Sequence, residues 1–264
     1  MVRLKIARGA VLRSGPILIA FLTVVVGWLF VCLALMPTLG VSFTAAFPAG
    51  MVALAAALLT YMNLPGYVHL GSDGVLLDWR GKTRYVPFAD VQDVAIYKED
   101  AMGKHMIGVG LKLRTGEEVR APIGENQFGA DKRAKDLEAR LRAALTSYQH
   151  NAEPDHAPAL ARGDRSDAQW LERLRSVGQG ANANMREAPV PLEQLWRIVE
   201  CASAEPTARA GAAVALRVSL DNDAKTRLRV AADCTAEPAL RRVLETAAAD
   251  DEDRLTVALS RIDR

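Results

Sequence analysis

Apolar and polar positions follow distinct patterns in successive parts of the chain, and the first pattern is an absence of charge. Two charge-free apolar runs cover residues 17–36 and 41–62, with only the tetrapeptide PTLG between them. About 20 apolar residues are enough for a helix to cross the ~30 Å hydrocarbon core of a bilayer. The runs therefore predict a transmembrane helical hairpin over residues 16–63. The alternative is a pair of buried helices in the core of a soluble protein.

Between residues 67 and 123 the pattern changes to alternation. Val75, Leu77 and Trp79 alternate with more polar neighbours, as in a strand with one buried face. Short polar turns separate about six such segments. A helix is predicted next, over residues 129–148, with apolar side chains on one face: Ala134, Leu137, Leu141, Leu145 and Tyr148. Strands followed by one amphipathic helix predict a curled antiparallel sheet whose open end the helix closes.

The stretch DGVLLDWRGKTRYVPFADVQDV, which begins at Asp73, resembles the bacterial PH-like domains. The resemblance rests on the Asp-Gly start, the short hairpin and the Pro-Phe-x-Asp-Val segment from Pro87, and it covers residues 64–149. It implies a barrel-like binding module. Eukaryotic relatives often bind phosphoinositides through a basic first loop. The first loop here, GSDG, has no lysine or arginine, so the resemblance does not extend to that ligand.

The last part of the chain is predicted to be a flexible linker followed by helices. Residues 150–166 are rich in alanine, proline and aspartate, which is typical of a linker. Beyond them, two Glu-Pro pairs at residues 205 and 237 lie 32 residues apart, each before a short predicted helix. A period near 30 with paired helices is typical of a HEAT-like solenoid. An irregular helical bundle is the alternative.

These patterns together predict the fold class of a membrane-anchored multidomain protein. Its parts are a basic cytoplasmic N-terminus (1–15), a two-helix transmembrane hairpin (16–63), an antiparallel β PH-like barrel with a closing α-helix (64–149), a linker (150–166) and a C-terminal all-α, HEAT-like domain (167–264). Basic residues flank the apolar runs, and the loop between them is uncharged. The positive-inside rule then places both termini on the cytoplasmic side of the membrane, which is predicted to be a bacterial inner membrane. The first run is too long for a signal peptide and no cleavage motif follows it.

Small residues recur at intervals of four in the second apolar run. They are Ala46, Gly50, Ala49, Ala53 and Ala57. This spacing lets helices approach closely within a bilayer, and it predicts packing against the first run. A homodimer through the same face is the alternative.

Charge suggests one further candidate contact. Arg80, Lys82 and Arg84 form a basic hairpin tip, which could contact anionic headgroups at roughly 1 kcal/mol per residue near a membrane surface. A solvated turn that carries no ligand is the alternative.

Candidate chemistry is otherwise sparse. The net charge is only +2 and aromatic residues do not interleave with basic ones, which argues against nucleic-acid binding. The four histidines and three cysteines have no spacing typical of a catalytic, metal or disulfide site, so no enzyme activity, metal or cofactor is predicted. The predicted function is a membrane-anchored scaffold or adaptor whose helical tail binds a cytoplasmic protein. The alternative is a lipid- or envelope-sensing module that uses the basic hairpin.

Overall fold

The structure is a computed structural model that describes residues 2–6, 66–79, 82–101, 104–125, 129–151, 154, 156–179, 190–249 and 251–262. The described elements form two parts, which we name the strand module and the helical domain. The strand module contains β1 (Val2–Ile6), β2 (Gly66–Leu70), β3 (Gly74–Trp79), β4 (Lys82–Pro87), β5 (Val91–Ala101), β6 (Lys104–Leu113), β7 (Glu118–Glu125) and α1 (Ala130–His150).

Two antiparallel sheets build the strand module. The first sheet has the order β1-β2-β3-β4 and the second has the order β5-β6-β7. In the first sheet, Ile6 pairs with Gly66 and Val2 with Leu70. The segment predicted as a basic N-terminus therefore contains β1, an edge strand of the sheet. The last residue of β1, Ile6, pairs with the first residue of β2, Gly66.

The core of the strand module lies between the two sheets and α1. Alternation along the strands places Val68 and Val75 of the first sheet and Ile107 and Leu111 of the second sheet in this core. Phe88, in the turn after β4, also lies in it. Helix α1 packs against β5, β6 and β7 and buries one stripe of its surface. The buried side chains of that stripe are Ala130, Ala134, Leu137, Leu141 and Leu145.

The structure contradicts the predicted fold class. Within the described ranges, no helix has both the length and the apolar character needed to cross a membrane. The 21-residue α1 is long enough, but charged residues cover its exposed face. The described strands also form two separate sheets rather than a closed barrel, because backbone pairing joins neither β4 to β5 nor β1 to β7.

Two parts of the sequence prediction fall outside the described residues. They are the apolar runs at residues 17–36 and 41–62, and the small residues proposed to pack within the second run: Ala46, Gly50, Ala49, Ala53 and Ala57. The prediction of a membrane protein with transmembrane helices rested chiefly on those runs, and none of the helices that the structure describes supports it.

The helical domain contains α2 (Ala157–Leu160), α3 (Asp167–Gly178), α4 (Leu192–Glu200), α5 (Pro206–Leu216), α6 (Asn222–Cys234), α7 (Pro238–Ala249) and α8 (Glu252–Leu259). Helix α5 lies at its centre and contacts α2, α3, α4 and α7. All of its residues from Thr207 to Leu216 are buried. Its small side chains allow close approach: a Cβ at Gly211 would lie 2.5 Å from the carbonyl oxygen of Leu160.

The segment predicted as a flexible linker packs against the helical domain where it is described. Ala157 and Leu160 of α2 are fully buried beside α5. The indole N–H of Trp170 donates a hydrogen bond to the carbonyl oxygen of Leu160 at 2.9 Å. Composition predicted a linker because this segment is short of large apolar residues, but α2, one short helix within its described part, is buried against the helical domain.

Replacing Trp170 by phenylalanine is expected to lower the free energy of unfolding by about 1–3 kcal/mol, because the buried Leu160 carbonyl loses its donor. Urea unfolding followed by circular dichroism measures this loss. A Trp170→Phe protein that unfolds at the wild-type urea concentration would show that the segment is not held by this hydrogen bond.

Candidate functional site

A turn of the strand module meets a loop of the helical domain at one buried junction. The turn between β2 and β3 donates the amide of Ser72 to the carbonyl oxygen of Cys234, at 2.8 Å. In the opposite direction, Asp73 Oδ1 accepts the amide of Ala236 at 2.6 Å and Asp73 Oδ2 accepts the amide of Glu237 at 3.1 Å. Asp73 thus places a carboxylate directly before α7, where the helix dipole favours negative charge.

Gly71 makes this approach possible. A Cβ at this position would lie 2.5 Å from the backbone nitrogen of Ala236 and 2.7 Å from its Cβ. Both distances are too short for a real contact, so any larger residue would separate the turn from the loop.

Arg209 of α5 lies behind Asp73 and is only 2% exposed. Its Nε donates to the carbonyl oxygen of Val199 at 3.0 Å and its Nη2 to Thr235 Oγ1 at 3.1 Å. Its Nη1 lies 3.9 Å from Asp73 Oδ2. A buried cation is tolerated when a carboxylate and hydrogen bonds compensate it, and both are present here.

Two further ionisable groups complete the site, which we name the junction cluster: Asp73, Tyr85, Arg209, Thr235 and Glu237. The Tyr85 hydroxyl donates to the carbonyl oxygen of Asp73 at 3.3 Å. Burial is the main cause that raises the pKa of Tyr85, and the charge of Asp73 adds to it. Burial also lowers the pKa of Arg209, while the charge of Asp73 opposes that shift.

Glu237 is the most strongly perturbed carboxyl group of the cluster. Burial, and then the negative charge of Asp73, raise its pKa to about 7, while Arg209 opposes them. Its Oε2 is buried and accepts no hydrogen bond from the described residues. The cluster therefore holds two carboxyl groups beside one guanidinium group, an arrangement that favours a neutral Glu237.

A second candidate site, which we name the helical groove, lies between α7 and α8. It encloses about 590 Å³, and its lining includes Pro238, Ala258 and Val257, whose side chain is 52% exposed. Two arginines, Arg242 and Arg261, also line it. Neither of them makes an ion pair with any residue that the structure describes.

The other charges of the groove are largely paired. Glu245 accepts from Arg241 Nε at 2.8 Å, and Arg254 donates to Asp251 at 3.2 Å. Asp253 is the one unpaired acid among the described residues of the lining. Judged by the residues that the structure describes, the helical groove thus offers apolar surface together with an excess of unpaired positive charge.

Of the three residues of the predicted basic hairpin tip, the structure describes Lys82 and Arg84, and Arg84 is engaged in an ion pair. Arg84 makes a bidentate ion pair with Glu117, with both N–O distances at 2.8 Å. This hydrogen bonding raises the pKa of Arg84 and lowers that of Glu117. Lys82 is exposed, and Arg80 lies outside the described residues. A site for anionic headgroups would have to compete with Glu117 for Arg84.

Lys82 and Arg84 line a cavity of about 410 Å³ between the two sheets. Its charges also compensate one another: Arg120 pairs with Glu99 at 3.2 Å and with Glu118 at 3.0 Å. The Arg120 guanidinium lies 5.2 Å from the centroid of the Tyr97 ring. Within the described ranges, no group of histidine, cysteine, aspartate and glutamate residues could hold a metal ion.

Sequence reasoning missed the junction cluster. In the sequence, Glu237 stands out only as part of a repeated Glu-Pro pair, and Asp73 only as part of the GSDG loop. One signal was present in Arg209, the single charged residue of the alanine-rich PTARAGAAVAL helix. A lone arginine in such a helix indicates a buried cation that needs a carboxylate partner.

No protein-family model, curated protein or solved structure matches the chain. The resemblance to bacterial PH-like domains and to HEAT-like repeats therefore stays a prediction.

Proposed function

We propose that this protein is a non-enzymatic adaptor that binds an acidic, partly apolar segment of a partner protein in the helical groove. The observation that carries the proposal is the combination of exposed apolar surface at Val257 with Arg242 and Arg261, which have no ion pair among the described residues. Arginine binds carboxylates through paired hydrogen bonds. A buried apolar side chain close to such arginine–carboxylate contacts is a common basis of protein recognition.

The size of the helical groove supports the same proposal. Its volume of about 590 Å³ would accept several side chains of a bound segment. Half-exposed Val257 offers an apolar contact that water covers in the absence of a partner.

The junction cluster supports a role in which the strand module positions the groove. Pro238, the first residue of α7, lines the groove, and it follows the two amides that Asp73 holds. One wall of the groove is thereby fixed before a partner arrives. Such preorganisation reduces the entropy that binding must overcome.

A photo-reactive amino acid at position 257 tests the proposed site in the source cells. We expect it to form covalent adducts with a partner protein, and we expect mass spectrometry to map them to a segment rich in aspartate or glutamate. The matched control is position 230, because Val230 of α6 is 57% exposed but lies outside the groove. Equal adduct formation at both positions, or adducts to segments without acidic residues, would contradict the proposal.

Charge reversal tests the role of the arginines in the same assay. Arg242→Glu together with Arg261→Glu should reduce adduct formation at position 257 by tenfold or more, since each lost charge pair typically contributes about 1 kcal/mol or more to such an interface. Arg229→Glu is the control, because Arg229 is exposed on α6 and has no ion pair within the described part of the chain. An unchanged yield in the double variant would show that the groove does not select for acidic segments.

A further inference from the structure

The junction cluster contains a carboxyl group, Glu237, that nothing in the proposed partner binding uses. It lies in the loop before α7, where the strand module contacts the helical domain. The charged and titratable groups that face it come from three other elements: Asp73 from the turn between β2 and β3, Tyr85 from β4 and Arg209 from α5. Two more groups, Cys201 and Tyr148, interact electrostatically with Arg209.

None of the hydrogen bonds that the structure shows in the cluster is donated to the Glu237 carboxyl group. The Tyr85 hydroxyl donates to Asp73, and the Nε and Nη2 groups of Arg209 donate to Val199 and Thr235. The amide of Glu237 itself donates to Asp73 Oδ2. Glu237 Oε2 is buried without a partner among the described residues, so no hydrogen bond in this arrangement stabilises a negative charge on that oxygen.

We propose that the contact between the strand module and the helical domain is proton-sensitive: Glu237 is neutral while the two parts are docked, and its ionisation weakens the docking. Ionisation would place two negative carboxylates beside the single guanidinium of Arg209 in a buried site. The repulsion would act between Glu237 and Asp73. Asp73 holds the two parts together, because it accepts hydrogen bonds from the amides of Ala236 and Glu237.

The direction of the pH dependence follows from the same geometry. The pKa of Glu237 is raised to about 7 in the docked state, chiefly by burial, whereas an exposed glutamate titrates near 4.5. The docked state therefore binds the proton more tightly than the separated state. Its extra stability is fully present below pH 4.5, declines as the pH rises from there, and is lost above about pH 7.

A change in the ionisation of Glu237 would also affect the helical groove, because the next residue, Pro238, belongs to the lining of the groove. Weaker docking would release the start of α7. The inference does not rest on the groove having a partner, since the docking can be measured in the protein alone.

The test follows the backbone amide signals of Ser72 and Ala236 by NMR while the pH is raised from 5.5 to 8.5. These two amides donate two of the hydrogen bonds that cross the junction, one in each direction. In the wild-type protein we expect both signals to shift with a common midpoint near pH 7. In Glu237→Gln, which keeps the shape but cannot ionise, we expect this midpoint to disappear. Glu172→Gln is the control, because Glu172 is exposed on α3 and far from the cluster in sequence.

Thermal unfolding of the same three proteins gives a second, independent readout. The melting temperature of the wild-type and Glu172→Gln proteins should fall between pH 6 and pH 8 relative to that of Glu237→Gln. Two results would overturn the inference: a wild-type titration without a midpoint near pH 7 at Ser72 and Ala236, or the same midpoint in the Glu237→Gln protein.

Discussion

Replacing Asp73 by alanine is expected to lower the free energy of unfolding by about 3–5 kcal/mol, because it leaves the buried Arg209 without its carboxylate partner. Arg209 is 2% exposed and Asp73 is 6% exposed, so water can replace neither group. The variant also removes the acceptors of the Ala236 and Glu237 amides. Chemical denaturation followed by circular dichroism measures the loss.

Asp136→Ala is the matched control, since Asp136 is exposed on α1 and its replacement should change the free energy of unfolding by less than about 0.5 kcal/mol. An Asp73→Ala protein as stable as this control would mean that the junction does not hold the two parts together. Asp73→Asn separates charge from shape: it keeps one oxygen acceptor, so it should destabilise less than alanine does.

Loss of Asp73 should also change the titration of its neighbour. The charge of Asp73 is the second cause of the raised pKa of Glu237, after burial. In Asp73→Ala the pKa of Glu237 should therefore move down towards the value of an exposed glutamate. A carboxyl titration by NMR reports this shift even where the variant is less stable.

The second large effect is expected for Leu141→Ala in α1, which should lower the free energy of unfolding by about 2–5 kcal/mol because it leaves a cavity in the core. Leu141 is 2% exposed and belongs to the cluster that α1 forms with both sheets. Differential scanning calorimetry detects the lower melting temperature.

Leu192→Ala serves as the control for the same chemical change. Leu192 is 49% exposed at the start of α4, so its truncation removes little buried surface. If the two variants melted at the same temperature, α1 would not be closing the core of the strand module.

Much of the local structure was predictable because it depends on neighbours in the sequence. The short helix predicted after the Glu-Pro pair at residue 237 is found at Pro238–Ala249, and the helix predicted over residues 129–148 is found at Ala130–His150. Proline at a first helical position and apolar residues at helical spacing are signals of this local kind. The buried stripe of α1, with Leu137, Leu141 and Leu145, followed from the same periodicity.

One error of the sequence prediction arose where a local pattern was given a global meaning. Several strands followed by a helix were interpreted as a closed barrel. Closure depends on whether the edge strands pair, and alternation within each strand does not contain that information. The described strands stay in two sheets, with the Phe88–Asp90 turn between β4 and β5.

The sequence by itself therefore determined the helices, most of the strands and their buried faces, since propensity, capping and periodicity act within a few residues. Only the tertiary structure decided that Val2–Ile6 is an edge strand and that Arg84 pairs with Glu117. It alone also brought Asp73 to Ala236, across 163 residues of sequence. Such contacts depend on how distant elements pack. The sequence alone does not show that Asp73, Arg209 and Glu237 interact. Their interaction depends on packing, which brings the three side chains together at the junction.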